Sequence, residues 1–71
     1  MDIVKYIRLC CVQKDKSLRQ VASDAKITPQ NLSNKMTRDK FYTSDIDKIA
    51  NALNADVKIS FIDRDTKEPI I

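Results

Sequence analysis

Between Thr28 and Arg38 the chain carries Gln30, Asn31, Ser33, Asn34, Lys35 and Arg38 around only two large apolar residues, Leu32 and Met36. Carboxamide side chains can make paired hydrogen bonds to the edge of an adenine, and a lysine or arginine near a helix end can hold a phosphate. A helix this polar is either simply solvated or presented to a polar partner. Other chemistries have less support. The 71 residues include no histidine and no glycine. The commonest general acid-base and metal ligand and the Gly-rich phosphate loop are therefore missing. Cys10 and Cys11 are adjacent, which suits neither an intrachain disulfide framework nor a spaced zinc site, so core filler in a reducing compartment is the expectation. One small domain fits this length, with little room for a cofactor pocket. No nucleophile–base pair is visible. A binding protein without cofactor, metal or small-molecule substrate, rather than an enzyme, is expected.

The elements that must position the polar helix are legible from spacing. Val4, Ile7 and Cys11 make one face of a helix over 3–14, with Asp2 as N-cap. Ser17 can cap a second helix, with Gln20 completing a capping box, and Leu18, Val21, Ala22 and Ala25 fall at i, i+3, i+4 and i+7. Two alanines on that face let another helix approach closely. Thr28 and Pro29 restart a helix with a capping hydroxyl and a proline at its first position. Phe41 and Tyr42 read as aromatic anchors in a loop. Ser44 and Asp47 have capping-box spacing for a fourth helix, whose inner face is Ile46, Ile49, Ala50 and Leu53 and whose end is Asn54. From Val57 the period changes to two, with Ile59 and Phe61 on the same side, a β-strand pattern. Residues 64–67 read as a turn and 68–71 as a possible returning edge strand.

The link between the second and third helices is too short for antiparallel packing, so they must cross at a wide angle, the helix-turn-helix geometry. An ordinary helical hairpin with a solvated polar face remains the alternative on spacing alone. Charge leans toward a polyanionic partner: residues 1–40 hold nine basic and four acidic side chains, residues 41–71 four and six, within a net charge of +3. No apolar run approaches a membrane span, and charges interrupt the first eight residues where a signal peptide would be apolar, so a cytoplasmic protein without a membrane partner is expected.

The stretch SLRQVASDAKITPQNLSNKM (17–36) and the later IANALN (49–54) resemble the Cro/cI-type helix-turn-helix family of phage and bacterial repressors. The resemblance runs without gaps from about residue 7 to 54. It implies a mostly α, lambda-repressor-like domain of four to five helices, with a helical core over about 2–54 and a C-terminal β-strand or short hairpin over about 56–71. By position it makes Gln30, Asn31 and Asn34 base readers. It assigns DNA-backbone contacts to Ser17, Arg19, Gln20, Thr28, Lys35, Arg38, Lys40, Thr43 and Ser44. Lys5, Arg8 and Lys14 add to these or form a solvated face. The chain departs from the family at the two customary glycines, where Lys26 and Arg38 stand. The family's buried Arg–Glu pair falls on Cys11 and Met36, both apolar, so no unpaired charge is left behind.

What the resemblance implies is a sequence-specific double-stranded-DNA-binding regulator, a repressor of phage or mobile-element type, acting as a homodimer on an inverted repeat with half-sites about one helical turn apart. Val57, Ile59 and Phe61 would serve dimerisation, since a lone strand exposes an unpaired edge. The competing expectation is a hairpin folded back on its own helices with Phe61 as plug. The rival function is an antitoxin-like interaction module that keeps the fold and binds a protein through its C-terminal strand.

Overall fold

The structure, a computed structural model, describes residues 2–71. Four helices form its body: α1 (Ile3–Gln13), α2 (Leu18–Asp24), α3 (Pro29–Arg38) and α4 (Thr43–Ala52). The apolar positions read from the spacing converge on one core. Ile7 and Cys11 come from α1, Val21 and Ala22 from α2 with Ala25 and Ile27 just after it, Leu32 and Met36 from α3, and Ile49, Ala52 and Leu53 from α4 and its end. Each fully buried Val or Leu contributes about 1.5–3 kcal/mol. Val21 and Ala22 are wholly inaccessible, and α2 packs on all three other helices. Cys11 and Met36, where the family resemblance places an ion pair, are both buried in this apolar core. Burial, helped by the neighbouring Cys10, pushes the Cys11 thiol above its ordinary pKa, so it is packing material rather than a nucleophile.

Helix starts follow the side chains able to accept a first-turn N–H. Asp2 Oδ1 accepts from the Lys5 N–H (2.9 Å), Ser17 Oγ from Gln20 (3.1 Å) and Thr28 Oγ1 from Asn31 (3.1 Å). Neither of the two expected capping boxes is made. The Gln20 side chain donates to Asp24 Oδ1 (3.1 Å) instead of turning back to Ser17. The fourth helix starts at Thr43, ahead of the Ser44–Asp47 pair, and Asp45 performs the cap by accepting the Tyr42 N–H (2.9 Å).

Helix ends are made without glycine. Asp15, Lys26, Asp39 and Asn54 take left-handed φ between 53° and 60°. After α2 the Lys26 N–H donates to the Ser23 carbonyl (3.1 Å) and Ile27 to Ala22 (2.9 Å), which closes the helix and turns Ile27 into the core. The same two-bond closure follows α1 at Asp15 and α4 at Asn54. After α3 the left-handed residue is Asp39, while Arg38 remains helical. The left-handed position is thus one residue beyond Arg38, to which the resemblance gives a glycine's place.

Beyond Asn54 the packing stops. The expected strand from Val57 is not formed: residues 57–60 make no backbone hydrogen bond, and Phe61 makes one, its carbonyl accepting from the Ile70 N–H (2.9 Å). A single antiparallel bridge joins Ile62 to Pro69 around a reversal in which Asp63 Oδ1 accepts from Asp65 (2.8 Å) and Thr66 (3.3 Å). An isolated two-stranded hairpin is marginal without a face to pack on. The hairpin does not cover its own helices, and Phe61 is no plug, being 78% exposed. The radius of gyration, 13.5 Å, exceeds the value of about 11 Å for a compact chain of this length because the tail stands off the body, which extends the molecule to 41 × 24 × 19 Å. No helix among the described residues is long and apolar enough to cross a membrane.

Candidate nucleic-acid interface

Residues 25–28 are all that separate α2 from α3. The left-handed turn at Lys26 and the Thr28–Pro29 start redirect the chain within that span, and Leu32 and Met36 are the two residues of α3 buried in the core. At 100° per residue, Gln30, Asn34 and Arg38 then lie opposite the docked seam, with Asn31 beside them. All four are exposed. The three base-reading candidates are thus brought together on the outward ridge of one helix.

Hollows lie on both sides of that ridge. One, of about 250 Å³, is floored by Leu18, Pro29, Leu32 and Met36 and rimmed by Arg8 and Arg19. The other, of about 490 Å³, runs along Asn31, Asn34, Arg38, Lys40, Phe41 and Tyr42, with Lys35 beside them. Arg8, Arg19, Arg38 and Lys40 have no carboxylate partner among the described residues. Cations free to meet an anion therefore flank the amides on both sides.

The remaining expected backbone contacts are placed less uniformly. Ser17 and Thr28 are exposed but act as N-caps, and Gln20 is held by Asp24. Thr43 and Ser44 are exposed in the first turn of α4 and line neither hollow. Lys35 has a partner inside the molecule: its Nζ lies 3.0 Å from Asp45 Oδ2, with both side chains largely shielded. The same ammonium sits 5.6 Å from the centre of the Tyr42 ring. The Tyr42 N–H, and then Lys35, hold the Asp45 carboxyl below its ordinary pKa against the opposing effect of burial. Lys35 thereby ties α3 to the start of α4 and fixes the ridge in place.

Two residues of this region escape local spacing. Tyr42 is 76% exposed beside the larger hollow, where the sequence suggests an anchor; only Phe41 is half-buried. Lys16 donates to Asp24 Oδ2 (3.0 Å) and to the Ala52 carbonyl (2.7 Å), neutralising the C-terminal end of α4 while bracing α2. The Lys16 ammonium also draws the exposed Asp24 carboxyl below its ordinary pKa. Both arrangements join residues far apart in the chain. Comparison of the chain with protein-family models, with curated proteins and with solved structures yields no match.

Proposed function

We propose that this chain is a sequence-specific double-stranded-DNA-binding protein of the Cro/cI-like, lambda-repressor-like type, a cytoplasmic transcriptional regulator that docks α3 in the major groove. One observation carries this reading: a helix held by two apolar residues presents Gln30, Asn31 and Asn34 outward between hollows rimmed by unpaired arginines and lysine. Amides on the ridge suit base edges at about 1–3 kcal/mol per good bidentate contact. Arg8, Arg19, Arg38 and Lys40 suit the phosphates on either side, a sequence-blind and salt-sensitive attraction. Lys35 serves this arrangement as a positioning residue.

The chain is proposed to act as a homodimer through its exposed C-terminal segment, so that two α3 ridges meet successive major grooves. Occupancy of an inverted repeat overlapping a promoter would then repress transcription. The same exposed segment favours the rival reading of an antitoxin-like protein-binding module. Selection of bound duplexes from a random library at low salt decides between them. A palindromic consensus is the expected result; failure to retain any duplex would overturn the DNA reading in favour of the protein-binding one.

A further inference from the structure

The outward face of α1 is apolar without an occupant. Tyr6, Leu9 and Val12 follow at three-residue spacing, on the side of α1 opposite the buried Ile7 and Cys11. Leu9, which points directly away from the core, is 55% exposed. Single exposed apolar residues are ordinary, but a contiguous stripe rimmed by charge marks an interaction surface. The chain contains a second apolar feature without an occupant, the segment in which the exposed Val57, Ile59 and Phe61 alternate with Lys58 and Ser60.

We propose that two copies of the chain associate reciprocally, residues 57–61 of each lying along the Tyr6, Leu9 and Val12 stripe of the other's α1. This inference rests on the dimer reading above and names the surface that receives the tail. Three properties fit the two surfaces to each other. Their lengths can be matched: six helical steps span about 9 Å, and four residue steps reach up to about 13 Å when fully drawn out. Their net charges are opposite, since Lys5 and Arg8 border the stripe while Asp56 and Asp63 bracket a segment whose only cation is Lys58. Their area suffices. The six side chains are 38–78% exposed and offer on the order of 100 Å² each, so covering stripe and segment completely hides on the order of 600 Å² per protomer, the low end of a standard stable interface. The contact is made twice across a two-fold axis, which is what a closed dimer requires. Within one chain the tail leaves the body at Asn54 and covers no helix, so a second copy is the occupant to which the tail is available.

Sedimentation equilibrium of the full chain tests the arrangement, with Leu9→Lys and Phe61→Ser as variants. Both positions are exposed, so each variant should keep the helical circular-dichroism spectrum of the parent. The parent is expected to dimerise, and each variant to weaken dimerisation about 100-fold or more. Mixing the two variants gives the discriminating result. A heterodimer of one Leu9→Lys and one Phe61→Ser protomer places both defects in one contact and leaves the other intact, so the mixture is expected to associate more tightly than either variant alone. If Phe61→Ser is monomeric while Leu9→Lys dimerises like the parent, or if mixing restores nothing, the α1 assignment is overturned and the tail pairs elsewhere. In that case the dimer reading stands. A parent that stays monomeric throughout overturns both, and the duplex selection then stands alone as the test of DNA binding.

Discussion

Residues 2–54 and residues 55–71 are both rich in apolar side chains at regular spacing, yet one region is a folded body and the other an uncovered arm. In the body, a spacing of three and four places one apolar face of every helix against another helix, leaving only the Tyr6, Leu9 and Val12 stripe of α1 uncovered, and caps hold the ends in register. In the arm, a spacing of two makes a face with nothing of the same chain to meet it, and Ile59, Phe61, Ile62, Ile70 and Ile71 stay exposed. The difference teaches that periodicity announces which side of a segment wants burial but not what will bury it. A helix can bring its apolar stripe to a neighbour in the chain; a lone extended segment needs a sheet, a helix face or a second molecule.

The contrast is broken most severely in the core. Leu32→Ala removes the main anchor of α3 and is expected to cost about 2–5 kcal/mol, enough to unfold much of a small domain. Phe61→Ala at monomer concentrations is expected to change stability by less than about 0.5 kcal/mol. Chemical denaturation of both variants checks this, and comparable losses would mean that the tail is part of the body.

Next in size is the α3–α4 tie. Asp45→Ala removes a cap and strands the shielded Lys35 ammonium, at about 1–2 kcal/mol in the same assay. Its pH dependence has a definite sign. The folded-state pKa of Asp45 is depressed, so its stabilisation is complete above the unfolded value of about 3.9 and is lost as pH falls through the lower folded value. Melts between pH 7 and pH 2 should show an acid decline in the parent that is shallower in Asp45→Asn. A decline of identical depth in both would remove Asp45 from the account.

The smallest effect concerns the turns. Lys26 carries a side chain at φ 60°, and Lys26→Gly is expected to raise stability by about 1 kcal/mol, a melting shift of about 4–8 °C. A glycine at exposed Ser60 in the arm should leave the melting temperature unchanged. A destabilised Lys26→Gly would show that the lysine makes an interaction outweighing its backbone cost.

What was legible in the sequence follows the range of the interactions. Asp2, Ser17, Thr28 with Pro29, and Asn54 mark helix limits because a cap acts within three or four residues, and the inner faces follow from helical periodicity. The exposed grouping of Gln30, Asn31 and Asn34 was readable for the same reason. Asp45 displaced Ser44 and Asp47 as the cap because its carboxylate also answers Lys35, ten residues away. Lys35 likewise could not be separated from the free cations by its neighbours alone. The one-residue difference between Arg38 and Asp39 reflects how little local sequence constrains the last turn of a polar helix. The β pattern after Asp56 was visible, but a strand exists only with a partner, and none lies within the helical body.

The central claim, that the α3 ridge reads DNA sequence, is tested most directly by fluorescence anisotropy on a selected duplex and a shuffled one, comparing the parent with Gln30→Ala, Asn34→Ala and Arg38→Ala. The amide variants are expected to lose about 10-fold or more of the preference for the selected duplex while still binding both at low salt. Arg38→Ala should weaken both duplexes alike and lower the salt slope by about one. Equal losses on both duplexes for the amide variants, or no duplex binding by the parent at low salt, would contradict it.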